Sequence, residues 1–276
     1  MKNLKVAFIA LIAFGAIVSM NSCNKTDDSV SETETSKTTI ADYSNIINSF
    51  ALEAEDELIS SEESVLKSAS LASCWTVTID KNADGAFYPR VWTVDYLDGT
   101  CTLYSGYTKK GKIHVSLTDF WKNEGSLRTV TFEDYYFNDN KLEGVKTILN
   151  TGLNERGNLT FTKKVSDASL TYPDGTSISW ECEKFSEMTA GGSTFLFADD
   201  VYSVTGKVTG VNLDKANYTL TITSPLIYKN GCFYPVSGII TIDTVGGDIQ
   251  TIDYGTGACD NLATQTVGGV TTEIEL

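Results

Sequence analysis

The chain has 276 residues, 41% of them hydrophobic with 4 Trp, 13 Tyr and 12 Phe, and carries a formal net charge of −15 with a single histidine. That composition suffices for a sizeable core, whereas the charge repels nucleic acid and anionic membrane surfaces at long range, so nucleic acid is not an expected partner. One histidine also excludes a histidine-rich metal centre.

At the N-terminus Lys2 and Lys5 precede an apolar run from Val6 to Ser19 and a small-residue stretch that ends in Cys23. The run is shorter than the about 20 apolar residues that cross a bilayer, so residues 1–22 read as a secretory signal and not as a retained helix. Met20, Asn21, Ser22 and Cys23 resemble the bacterial lipobox, with the small Ser22 before the cysteine that would be lipidated and Met20 where Leu is usual. Residues 23–38 are rich in Ser, Thr and acids and lack the apolar residues to fold, as a tether between lipid and domain would. Between Asn24 and Ser64 eleven acids face two lysines, a net charge of −9.

The segment 39–69 changes character. Ile40, Tyr43, Ile46, Ile47, Phe50, Ala54 and Leu58 recur every three or four residues, which predicts an amphipathic helix with an acidic opposite face, followed by a connection. Such a helix is expected to close an end or a face of the domain.

Residues 70–276 switch to a period of two. Trp75, Val77 and Ile79, then Ile113, Val115 and Leu117, then Ile178, Trp180 and Cys182 alternate with polar neighbours, which predicts half-buried strands. Turn signals such as "KNADG", "KKG", "NDNKLEG", "NERGN", "PDG" and "VGG" separate them too closely for crossover helices. The expected fold is all-β with one N-terminal helix: an antiparallel meander of about twelve to fifteen strands, formed as a sandwich or a strongly curved sheet.

Two phrases nearly repeat, "TVDYLDGTC" at Thr93–Cys101 and "TIDYGTGAC" at Thr251–Cys259. Cys74 precedes Cys101 by 27 residues, Cys232 precedes Cys259 by 27, and a turn glycine, Gly111 or Gly269, follows ten residues later. The spacing predicts a duplicated four-strand unit, 74–118 and 232–276, with Trp92, Val94, Tyr96, Ile252 and Tyr254 facing the core. In an exported protein these cysteines are disulfide candidates, and the equal spacing favours Cys74 with Cys101 and Cys232 with Cys259. Cys182 falls on the Ile178 and Trp180 face as a small hydrophobe.

Chemistry-bearing patterns are sparse. His114 alternates with apolar neighbours and is expected on the outer surface, which leaves a catalytic triad without a base. Asp80, Asn82 and Asp84 spell the first half of a calcium loop, but Val91 holds the twelfth position, so a hairpin turn is preferred and no cofactor is expected. Glu133, Asp134, Glu181, Glu183, Asp199 and Asp200 are candidate acids for a glycosidase pair, and nothing in their spacing selects two. The stretches "GAFYPRVW" and "TFEDYYFNDN" offer Phe87, Tyr88, Tyr135 and Tyr136 as a ligand platform, against the ordinary reading of core aromatics.

The lipobox, the stretch "GKIHVSLTDFW", the stretch "GSLRTVTFEDYYFNDNKLEGVKT" and the ending "TIDYGTGACDN" together resemble a family of β-rich lipoproteins of Bacteroidetes that shares a D-Y/F-G-x-G-x-C-D-N motif. Asp27 and Asp28, soon after Cys23, look like the export signals of Bacteroidetes surface lipoproteins. The resemblance implies an envelope address and a long β meander; it transfers no functional residue. The favoured expectation is a non-enzymatic outer-membrane lipoprotein, held at the cell surface by its N-terminal lipid, with a glycan or protein ligand or a structural role. The alternatives are a periplasm-facing carrier of a lipid or hydrophobic ligand, and a carboxylate-dependent glycoside hydrolase.

Overall fold

The computed structural model describes residues 74–80, 85–102, 108–194 and 197–276, with backbone alone at 98–102 and 197. The signal, Cys23, the tether, the amphipathic segment and the centre of the calcium-like loop lie outside the described residues. The chain divides into two units, Met1–Ile40 and Ala41–Leu276, and the described residues belong to the second.

Thirteen strands follow one another: β1 (Thr76–Asp80), β2 (Arg90–Thr102), β3 (Thr108–Leu117), β4 (Leu127–Phe137), β5 (Asn140–Leu153), β6 (Leu159–Thr171), β7 (Ser177–Ala190), β8 (Val201–Val211), β9 (Asn217–Lys229), β10 (Ser237–Thr244), β11 (Gln250–Thr256), β12 (Leu262–Val267) and β13 (Val270–Glu275). They form a single sheet in sequence order, every neighbouring pair antiparallel, and β1 and β13 do not pair with each other. Among the described residues the architecture is therefore an all-β antiparallel meander in one sheet, open or curled and not closed into a barrel. A 3-10 turn, Phe197–Asp199, is the one helical element among the described residues.

One face of the sheet is buried. Trp92, Val94 and Tyr96 on β2 stand in register with Val115, Ile113 and Gly111 on β3, and the buried row continues through Val130, Ile148, Phe161, Trp180, Val208, Leu220, Ile240 and Ile252. Bulges bend the sheet along a line that crosses its strands, with register breaks between Lys110 and Lys112, Glu143 and Val145, Val165 and Ala168, and Val204 and Lys207. Gly111 shows why this line needs glycine: its φ is 90°, and a Cβ there would lie 2.0 Å from the Asp134 carbonyl oxygen.

The bulges also reset the period of two. On β4 the inner position passes from Val130 to Tyr135, an odd step absorbed at Asp134 with φ 45°; on β6 it passes from Phe161 to Ala168 through Asp167 with φ 53°. The repeated phrases occupy β2 and β11, where Val94, Tyr96, Ile252 and Tyr254 are all buried. Their surroundings differ from a strict four-strand duplication. Among the described residues, 74–118 show three strands and 232–276 show four, and Gly111 is a bulge inside β3 whereas Gly269 belongs to the β12–β13 turn. The equal cysteine spacing therefore conceals unequal hairpins: the connection from β1 to β2 spans 81–89, that from β10 to β11 spans 245–249.

Candidate functional site at the long-loop edge

A meander sends every even-numbered strand off from the same edge. On that edge the connections are 81–89, 118–126, 154–158, 191–200, 230–236 and 257–261; the opposite edge has 103–107, 138–139, 172–176, 212–216, 245–249 and 268–269. The first set is longer and carries most of the loop aromatics and the buried carboxyl. Loops held by a rigid scaffold are where binding residues concentrate.

The connection 118–126 is built around Asp119. Its Oδ1 accepts from the Phe120 backbone N–H at 2.7 Å, its Oδ2 accepts from Asn123 Nδ2 at 3.0 Å, and its carbonyl accepts from Ser126 Oγ at 2.7 Å. The Asn123 bond, then the Phe120 bond, hold the Asp119 carboxyl below its ordinary pKa. This frame presents Trp121, whose ring stacks on Phe161 of β6 at 6.1 Å and whose carbonyl accepts from the buried Asn150 side chain at 2.9 Å. Lys122 then reaches across two hairpins: its Nζ donates to the carbonyls of Gly192 at 3.1 Å and Thr194 at 2.7 Å while lying 5.0 Å from the Trp121 ring centroid.

The connection 191–200 ends in two adjacent carboxyls. Thr194 Oγ1 donates to Asp199, whereas Asp200 is only 4% exposed and accepts from Tyr202 Oη at 3.4 Å. Burial raises the Asp200 pKa, the neighbouring Asp199 charge adds to that, and the Tyr202 bond and Lys122 oppose it. A Cβ on Gly191 would stand 2.0 Å from Asp200 Oδ1, so the loop closes over this carboxyl only with glycine there. The Asn230 N–H donates to the Asp200 carbonyl at 3.0 Å, which links this loop to 230–236. The Cys232–Cys259 disulfide in turn fastens 230–236 to 257–261.

The expected site residues disperse. Phe87 is 64% exposed at the long-loop edge, edge-on to Tyr88 at 5.0 Å with the Arg90 guanidinium 4.4 Å from its ring centroid. Tyr135 is buried against Phe132 and Tyr96, and Tyr136 is half-buried with Lys110 Nζ 4.0 Å from its ring centroid. Arg90 pairs with Leu117 and Tyr136 with Lys110, so seven β3 residues, about 23 Å at 3.3 Å each, separate the two aromatic pairs. Phe87, Tyr88, Tyr135 and Tyr136 are thus not one platform, because the Asp134 bulge turns Tyr135 inward.

His114 lies on the outer face as expected. Thr93 Oγ1 stands 3.0 Å from its Nδ1, and its Nε2 stands 2.9 Å from Glu133 Oε2, with Lys112 on Glu133 Oε1 at 3.2 Å. Bonding to His114 first, then Lys112, lowers the Glu133 pKa. A hydroxyl, an imidazole and a carboxylate stand in line, but in mid-strand, where the backbone N–H groups are committed to the ladder and none is aimed to stabilise an oxyanion. Glu183 pairs with Lys164 at 2.8 Å on the same outer face, and Glu181 and Asp134 are exposed.

Asp80 ends β1, while Asn82 and Asp84 lie outside the described residues; among the described residues no cluster of His, Cys, Asp and Glu could hold a metal ion. Cys182 is a half-buried free thiol in register with Val165 and Val208. Cys74 is disulfide-bonded, and the Cys101 side chain lies outside the described residues.

A second repeat marks the site. Gly85-Ala86-Phe87-Tyr88-Pro89 and Gly231-Cys232-Phe233-Tyr234-Pro235 share the pattern G-x-F-Y-P, and both glycines take positive φ, 77° and 89°. Each pattern enters an even-numbered strand, β2 or β10, from the long-loop edge, and each leaves its Phe in solvent, Phe233 at 85% exposure. The pattern is legible in the sequence; the exposure of its Phe and the non-local hold of Lys122 are not. The chain matches no protein-family model, no curated protein and no solved structure.

Proposed function

We propose that the protein is an outer-membrane lipoprotein of the β-rich Bacteroidetes kind, anchored at the cell surface through Cys23, whose long-loop edge binds an extracellular glycan or protein. The observation that carries this reading is the pair of G-x-F-Y-P corners, which expose Phe87 before β2 and Phe233 before β10, two separate contact points eight strands apart on the same edge of one sheet. Exposed aromatics displayed by a fixed backbone stack on sugar rings or anchor a protein partner at little entropic cost. The net charge of −15 favours a neutral glycan or a basic protein surface.

The hydrolase alternative has one feature in its favour, the raised carboxyl of Asp200 beside Asp199. Against it, Asp200 is held by Tyr202 and packed on Gly191, Asp199 accepts from Thr194 in the same loop, and Glu133, Asp134, Glu181 and Glu183 stand on the outer face or at a bulge. The carrier alternative requires an accessible inner face.

Binding to an array of polysaccharides and extracellular-matrix proteins, compared between the native chain and a Phe87→Ala, Phe233→Ala variant, tests the proposal. Loss of about 2 kcal/mol, near 30-fold, at unchanged Tm is expected. Equal binding by both proteins sinks the role of this edge. Protease shaving of intact cells, with Cys23→Ala as the comparison, tests the address: a native chain protected until the outer membrane is broken overturns the surface placement.

A further inference from the structure

Phe185 of β7, the middle strand in the sheet order, is 51% exposed between the buried Lys184 and Ser186, so its ring stands on the outer face. Register sets Thr162 of β6 on one side of it and Thr205 of β8 on the other, each about 4.8 Å away across the sheet. Along β7 the same face carries Glu183 and Glu187, each about 6.6 Å from Phe185. An aromatic ring in solvent is thus framed on four sides by polar side chains.

The carboxylates of this frame are held before any ligand arrives. Glu183 Oε1 meets Lys164 Nζ at 2.8 Å, and Lys207 stands opposite Glu183 on β8. Glu187 Oε1 accepts from Asn158 Nδ2 at 2.7 Å, and its Oε2 accepts from Arg156 Nη2. The Lys164 bond, with the Lys164 and Lys207 charges behind it, holds the Glu183 carboxyl below its ordinary pKa; bonds from Asn158, then Asn154, then Arg156 do the same for Glu187. Both groups are therefore ionised at neutral pH, and a carboxylate has lone pairs for more than one donor. Arg156 and Asn158 belong to the connection 154–158, so the frame runs from the long-loop edge onto the face.

The charges around the ring decide what fits it. Lys164, Lys207 and Arg156 stand against Glu183 and Glu187, which leaves this patch close to neutral in a chain of net charge −15. A polyanion or a polycation finds no complementary field there. A protein anchor would have to strip water from five charges to reach one ring. A pyranose makes neither demand: its axial C–H groups offer a small apolar face, its rim hydroxyls both donate and accept, and it carries no charge.

We infer that the outer face of β6 to β8 is a carbohydrate site distinct from the Phe87 and Phe233 corners, where a neutral sugar unit of a glycan stacks on Phe185 and directs its hydroxyls to Glu183, Glu187 and Lys207. The carboxylates accept from sugar hydroxyls and the ammonium donates to them, while Thr162 and Thr205 flank the ring across the strands.

Titration of the full chain with neutral oligosaccharides of glucose, mannose, galactose or xylose, four to six units long, tests this. At least one series is expected to bind. Phe185→Ala should weaken that binding about 10-fold at unchanged Tm, since the side chain stands largely in water, and Phe185→Tyr should keep it. The Phe87→Ala, Phe233→Ala variant should bind the same sugar as the native chain does, which separates this site from the edge. Native affinity in Phe185→Ala overturns the inference, whatever the edge variant does. So does a native chain that binds none of the four series, or one that binds only uronate or sulfated sugars.

Discussion

At the short-turn edge the reversals are made by local bonds, and the longer-range bonds join neighbouring turns: the Thr108 N–H donates to Asn138 Oδ1 at 2.9 Å and Lys215 Nζ donates to the Ser177 carbonyl at 3.2 Å. Asn138 and Asp139, at φ 48° and 64°, close a two-residue turn, as do Gly268 and Gly269. The side chains of Asp174 and Asn212 cap their own loops, accepting from the Thr176 and Ala216 N–H groups at 2.9 Å. At the long-loop edge the bonds that matter cross the sheet: Lys122 to residues 192 and 194, Asn230 to Asp200, Cys232 to Cys259. Local bonds make a reversal, whereas bonds between distant loops fix the loops relative to one another. A binding surface requires that second kind of order, since a prearranged surface loses less entropy on contact.

The largest expected effect on this contrast follows from removing the disulfide. Cys232→Ser with Cys259→Ser opens a loop of 27 residues, worth about 3 to 4 kcal/mol in the loop-entropy picture, which for a domain of this size lowers Tm by roughly 10 °C. Calorimetry with and without reductant measures it. A loss under about 1 kcal/mol would mean that the edge is held without this bond.

Next comes Lys122→Met, which keeps most of the contact with Trp121 and deletes two charge-assisted bonds. A loss of about 2 kcal/mol is expected, with faster hydrogen exchange confined to 191–200. Lys141→Met at the opposite edge removes only a surface pair with Glu143 and should change stability by a few tenths of a kcal/mol at most. Equal effects from the two lysines would erase the distinction between the edges.

How far these features were legible in the sequence depends on the range of the interaction. Alternation and turn signals give the antiparallel meander because both are local. The same alternation misplaces Tyr135, because one extra residue at Asp134 exchanges the two faces and a bulge has no reliable local mark. The 27-residue cysteine spacing identifies the Cys232–Cys259 bond correctly, yet it suggests a stricter duplication than exists, since spacing does not report where a hairpin turns. Of the candidate site, the G-x-F-Y-P corners are readable as a repeat, whereas the bonds from Lys122 link residues 70 and 72 apart and leave no pattern.

The smallest expected effect concerns protons. The Asp200 pKa is raised in the folded protein, mainly by burial, so the folded state binds the proton more tightly than the unfolded chain. Stability from this group is therefore greatest below the ordinary aspartate pKa of 3.8 and declines as pH rises through that value to the raised one. Glu133 has the opposite sign: hydrogen bonds from His114 and Lys112 lower its pKa, so its contribution is present at pH above 4.5 and is lost as pH falls through the lowered value. Asp200→Asn should accordingly gain on the native chain as pH is raised from 3 to 7, while Glu133→Gln should lose ground over the same range. Urea unfolding at several pH values separates the two slopes. A flat difference for Asp200→Asn would show that the loop accommodates the ionised carboxyl without cost, and the long-loop edge would then lack the one feature that favours acid–base chemistry there.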